Sequence, residues 1–153
     1  EAGTGNVNVV EIEAPASKIK VLEVKEKSAD AVDIEAADFL VVAGQGLNSE
    51  ADLAAVEQLA KAIGGEVACT KPLATDKKWL SEERVIGLSG KICKPELAIL
   101  LGISGQVQFT VGIRDAKTIV SINTDDNAIM NQFSDYILTA DLHEAVNELN
   151  SKL

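Results

Sequence analysis

The 153-residue chain is predicted to fold as an α/β domain, a doubly wound parallel sheet of about six strands with helices on both faces. Three observations predict this class. "FLVVAG" (39–44) and "ELAILLG" (96–102) are short, nearly continuous apolar runs, as a strand covered on both faces requires. Such runs alternate with stretches of helical period, which implies crossover connections and parallel pairing. Most of the runs end in loops rich in Gly, Ser, Thr, Asn or Asp, at the end of the sheet where open α/β folds bind ligands.

The elements follow in order. The first 35 residues form an arm or linker with two strands, Val7–Ile12 and Lys18–Lys27, followed by "SADAVDIEAA" as a polar connection or short helix. The main domain runs over 36–153. "FLVVAG" is its first strand. Ser49 is placed to cap a helix, with Asp52 as the acidic partner three residues on. Leu53, Val56, Leu59, Ala60 and Ile63 then share one helical face, and Gly64-Gly65 ends it. "EVACT" is the second strand, "RVIGL" the third and "ELAILLG" the fourth. "GQVQFTVGI" reads as a short helix, "TIVSIN" as the fifth strand, "NAIMNQFS" as helical and "DYILT" as the sixth strand. Asp141 caps the last helix, with Glu144 at its third position and Leu142, Ala145, Val146, Leu149 and Leu153 facing inward.

Composition narrows the function. Apolar residues make up 46 % and charged residues 25 %, as in an ordinary globule, while aromatics at 3 % leave the core to aliphatic side chains. A net charge of −10 argues against nucleic acid or an anionic membrane as main partner. No apolar run reaches the roughly 18 residues of a membrane span. "EAGTGNVNVVEIE" lacks the basic and apolar regions of a signal peptide, so the expected location is cytoplasmic. Cys69 and Cys93 are then reduced thiols used for packing.

Each loop has two readings. "GQGLNS" (44–49) offers glycines for close backbone approach and a helix N-terminus for an anion, or is a plain turn. It lacks the third glycine of the dinucleotide fingerprint. "GISG" (102–105) adds the Ser104 hydroxyl beside a helix N-terminus, and would hold phosphate by backbone dipoles. That suits a chain with two arginines, Arg84 and Arg114. Ser89 in "IGLSG" is a further hydroxyl between glycines, or part of a loop. Asn123 and Asp125 would bind ribose or base, or make Asx turns. His143, the one histidine, lies in the first turn of a helix and reads as a surface residue. No HExxH, CxxC or Ser-His-Asp set is present, which disfavours a hydrolase or metalloenzyme. The residues alone point to an α/β domain that binds a nucleotide.

Taken together and in order, "VVAGQGLNS", "CTKP", "IGLSGK", "PELAILLGISGQVQF", "TIVSINTD" and "SDYILTADL" resemble the C-terminal FAD-binding domain of the electron transfer flavoprotein alpha subunit, from about residue 38 to the C-terminus. The resemblance implies a Rossmann-like fold of the DHS-like NAD/FAD-binding type. It implies FAD as cofactor and an electron carrier rather than an enzyme with its own substrate. The implied partners are a beta subunit and an acyl-CoA dehydrogenase-like flavoprotein. Family alpha subunits also carry an N-terminal domain, so the chain is expected to be an excised or shortened domain.

Carried over by position, Ser104, Gly105, Gln106, Val107 and Gln108 would hold the pyrophosphate and ribityl chain. Asn123, Asp141 and Leu142 would surround the adenosine. Ile86, Gly87, Leu88 and Ser89 would lie on the flavin side, Ser89 standing near the flavin N5 where the family has threonine. Thr70 stands for a serine. Other positions depart further. Gln45 replaces the arginine of a glycine-arginine-glycine loop, Lys71 an arginine, Leu88 a glutamine, Phe109 a histidine near the flavin pyrimidine edge and Thr124 a lysine. Gln45, Phe109 and Thr124 each remove a positive or potentially positive group. The resemblance therefore implies a weaker FAD site that stabilises negative charge on the flavin less. The rival reading is a structural subunit that binds ADP or AMP and has lost tight flavin binding. An NAD-dependent deacylase, which needs a catalytic histidine in the nucleotide pocket, is disfavoured, because His143 lies at the wrong end of the sequence pattern, in the final helix.

Overall fold

A computed structural model describes residues 32–153, together with Gly5, residues 8–12 and Glu23. Five strands form one parallel sheet: β1 (Phe39–Ala43), β2 (Glu66–Cys69), β3 (Leu97–Leu101), β4 (Ile119–Asn123) and β5 (Tyr136–Thr139). Their order is β2-β1-β3-β4-β5. The helices are α1 (Leu53–Ala62), α2 (Lys71–Thr75), α3 (Val107–Thr110) and α4 (Leu142–Lys152). The chain winds outward from β1 to β2, then returns past β1 to β3 and continues the other way. The fold is therefore doubly wound, with its switch point between β1 and β3.

The continuous apolar runs are explained by two cores, one on each face of the sheet. Val41 and Ala43 of β1, with Ile99 and Leu101 of β3, face α1 and α4, where Leu59, Val56, Ala145 and Val146 meet them. Leu40 and Val42, with Ala98 and Leu100, face the opposite layer of Ile34, Phe109, Ile113 and Met130. Successive residues of a strand point to opposite faces, so both sets must be apolar. Ile34 is buried, Val32 packs on the same layer, and Glu35 pairs with Lys91 at 2.9 Å. The packed unit thus takes in residues 32–35.

Three readings change. "RVIGL" is not a strand of the sheet: Val85 and Ile86 make isolated parallel bridges to Cys69 and Lys91. Gly87, at φ +136°, turns the chain away after two residues, and Gly90 is packed on the Val85 backbone. "NAIMNQFS" is helical, as a 3₁₀ helix over Ile129–Phe133, but Leu153, expected to face inward, is exposed. Of the N-terminal strands, residues 8–12 are in no strand and Val9, Val10 and Ile12 are exposed, whereas Lys18–Lys27, Glu23 apart, lies outside the described residues.

Cys69 and Cys93 are free, buried thiols. Burial pushes them from an ordinary value of 9.0 up to about 12 and about 11 respectively. A raised thiol pKa means that the unfolded chain releases its protons first. This contribution to stability is therefore complete below the ordinary value and lost as pH rises above it. Urea unfolding should show stability falling above about pH 9, and less steeply in Cys69→Ala.

Candidate functional site

The loops after β1, β2 and β3 converge at the switch point, as the topology requires. Gly44 N–H donates to Leu101 O at 2.8 Å, and Gly46 N–H to Gly102 O at 3.0 Å. A Cβ on Gly46 would come within 2.6 Å of Gly102 Cα and 3.0 Å of Leu142 Cδ2. The glycines of "GQG" therefore serve chiefly to let two loops and the start of α4 close on one another. They bring Gln45 to the rim.

Between these loops lies a cleft of about 210 Å³. It is lined by Gln45, by Thr70, Lys71 and Pro72 after β2, by Ile86, Gly87 and Ser89, and by the loop and helix from Gly102 to Phe109, Val107 excepted. Small-molecule pockets usually run from about 300 Å³ upward, so the cleft is too small to enclose a whole dinucleotide. Among the described residues Lys71 is the one charged side chain in the lining. The rest of the binding capacity is neutral: hydroxyls, amides and the opening turn of α3, whose first N–H groups have no intrahelical acceptor. The Thr70 Oγ1 atom is buried with no hydrogen-bond partner among the described residues. A buried hydroxyl without a partner costs about 1–3 kcal/mol, which a ligand's polar atom would offset.

Eleven of the sixteen expected site residues thus line one cleft: Gln45, Thr70, Lys71, Ile86, Gly87, Ser89, Ser104, Gly105, Gln106, Gln108 and Phe109. Pro72, Gly102 and Ile103 line it too. They lie inside the "CTKP" and "GISG" motifs, but nothing in either marked those positions individually. Phe109 is only 7 % exposed and belongs to the core layer as well as to the cleft wall.

The other five lie elsewhere. Leu88 and Val107 project outward, 70 % and 73 % exposed. Leu88 N–H donates to Gln108 O at 2.7 Å, which ties the two loops together. Asn123 spans from β4 to the third loop: its Nδ2 donates to Ile103 O at 3.1 Å, and its Oδ1 accepts from Asp125 N–H at 3.1 Å. Its side-chain oxygen serves an Asx turn. Leu142 is buried beneath Gly46 and Gly102. Asp141 caps α4 through Oδ1, which accepts from His143 N–H at 2.9 Å and Glu144 N–H at 3.2 Å. Both cap bonds use one oxygen, so the Asp141 Oδ2 is left for another donor.

One cluster was not legible as such. His143 Nε2 accepts from Asn48 Nδ2 at 3.0 Å, and its Nδ1 faces Asp52 Oδ1 at 3.7 Å. Asp52 Oδ2 also accepts from Ser49 N–H at 2.8 Å and Asn48 N–H at 3.0 Å. The cluster fastens the first loop to α4. Burial works to raise the Asp52 carboxyl, but the N–H donors of Ser49 and Asn48 and the facing His143 outweigh it and hold the group below 3.8. A lowered carboxyl contributes stability above its ordinary value, and that contribution is lost as pH falls through the folded value. Asp52→Asn should cost about 1 kcal/mol at neutral pH. In urea titrations the gap to the parent protein should close in acid.

A family model, the electron transfer flavoprotein FAD-binding domain, matches residues 33–114. The chain belongs to the electron transfer flavoprotein alpha family. The curated protein FixB of Escherichia coli O127:H6 (strain E2348/69 / EPEC) is 40 % identical over 150 residues, covering 98 % of this chain and 48 % of FixB. FixB of the K12 strain DH10B is 39 % identical over the same span. The chain thus spans about half the length of these relatives. In electron transfer flavoprotein terms, the matched segment includes the loops after β1, β2 and β3 and stops before β4. The loops that carry Asn123 and Asp141 lie outside it.

Proposed function

We propose that the cleft holds FAD and that the chain is the flavin domain of an electron carrier paired with a beta subunit. The observation that carries this reading is the cleft at the switch point, which gathers eleven of the expected residues and contains the Thr70 hydroxyl, without a partner among the described residues. When bound, FAD supplies one-electron chemistry that none of these side chains provides. The chain's own part is to bind and orient. The Ser104–Gln108 loop and the opening amides of α3 would take the pyrophosphate, and Ser89 and Thr70 would hydrogen-bond at the flavin end. Lys71 would place one positive charge beside the ring. Phe109 would form a dry apolar wall where a histidine would otherwise offer a proton. Asp141 Oδ2 and the Asn123 turn would meet the adenosine edge. An acyl-CoA dehydrogenase-like donor and a cytoplasmic setting complete the proposal; no described helix is long and apolar enough to cross a membrane.

The test is direct. The purified chain is mixed with FAD, desalted and read for yellow colour and for quenching of flavin fluorescence. Retained colour, with FAD raising the melting temperature well above the effect of ADP, is the expected result. A colourless protein stabilised equally by ADP and FAD would establish the nucleotide-binding structural subunit instead. What favours that alternative is that Gln45 and Phe109 line the cleft at positions where the resemblance implies an arginine and a histidine.

A further inference from the structure

Parallel sheets are ordinarily covered on both faces, but at β5 this one is not. All four residues of the strand are exposed, with Tyr136 at 66 %, Ile137 at 52 % and Leu138 at 47 %. The preceding 3₁₀ turn adds Phe133 at 44 %. Among the described residues β5 pairs with β4 alone and its outer backbone edge has no partner, while α4 packs chiefly on α1 and β4. Natural edge strands are usually guarded by Lys, Pro or a bulge. Tyr136–Thr139 contains neither Lys nor Pro and pairs with β4 in unbroken register.

The charge around this edge selects its occupant. From residue 118 to 151 there is no Lys or Arg, while Asp125, Asp126, Asp135 and Asp141 sit on the turns that enter and leave β4 and β5. Lys117, just before β4, is held by Glu96 at 2.6 Å. Two copies meeting edge to edge would bring these carboxylates together, and an anionic membrane would be repelled as well. A segment with positive ends is attracted.

We propose that β5 is a docking edge, at which an extended apolar segment of another polypeptide, with Lys or Arg at both ends, adds as a further strand. Backbone hydrogen bonds to β5 would supply affinity. Tyr136, Ile137 and Leu138 would pack against alternate side chains, and the flanking aspartates would set register and speed encounter. This inference does not rest on the flavin reading.

The test uses the full chain at low salt, with a synthetic peptide of alternating valine and threonine ending in lysine at both sides. Backbone NMR shifts should move and saturate at 133–139, and the β5 amides should exchange more slowly. A peptide ending in glutamates should bind about tenfold more weakly or worse. Ile137→Lys should lose the peptide with its melting temperature unchanged, since the side chain is exposed. Equal binding of the two peptides, or no saturable shift at β5, would overturn the proposal. So would protection, already in the free chain, of the β5 amides that point away from β4, which would assign the edge to the chain's own N-terminal residues. A dimer that Ile137→Lys dissolves in sedimentation would assign it to a second copy.

Discussion

Gly102→Ala is expected to destabilise the domain by roughly 3 kcal/mol, the sum of a left-handed backbone penalty and an overpacking cost. Gly102 has φ +61°, where a Cβ is strained whatever the space around it. Here there is no space either: the added Cβ would meet Gly46 Cα at 2.6 Å, Gly46 N at 2.9 Å and Leu142 Cδ2 at 3.1 Å. Two of those atoms are backbone, so a rotamer change does not relieve the clash. For a domain of this size the loss corresponds to a melting temperature lower by about 10 °C. Nucleotide affinity should fall with it in the fraction that stays folded, because Gln45 rides on the displaced loop. Urea and thermal unfolding check the first part, and ADP titration below the melting transition checks the second. A loss under about 1 kcal/mol would mean that the loops separate freely.

Lys71→Glu is expected to have the largest effect on ligand binding. Lys71 is the only charged group lining the cleft among the described residues, and the chain carries −10 overall. One cation therefore stands alone against the field that repels an anionic dinucleotide. A charge-assisted hydrogen bond is worth about 1.5–3 kcal/mol, so FAD affinity should drop by about 10- to 100-fold. Fold stability should hardly change, since Lys71 is exposed. Lys71→Arg should keep most of the affinity, because the charge remains. Fluorescence titration of FAD against each variant measures this. If Lys71→Glu binds as the parent does, Lys71 faces solvent and neutral groups alone hold the ligand.

Phe109 shows where sequence and structure divide. In the sequence it stands where the resemblance implies a histidine near the flavin pyrimidine edge. In the structure it is 7 % exposed and packed in the layer of Leu40, Val42 and Met130. A histidine there would exchange an apolar contact for a buried polar ring, so packing constrains the position. Asn123 tells a similar story: the asparagine was legible, while its use to hold the Ile103 carbonyl required the distance between two loops.

By itself, the sequence determined that strands would be apolar on both faces, that helices would begin at Ser49 and Asp141, and that polar loop tips would sit at one end of a parallel sheet. These are local patterns, set by side-chain period and capping chemistry. Only the tertiary structure decided that "RVIGL" is a pair of bridges, that the glycines of "GQG" close on Gly102, and that His143 reaches Asn48. It also decided which tips share a cleft and which do not. Each of these depends on contacts between residues far apart in the chain, where the strand order brings loops together and packing leaves room for one partner and no other.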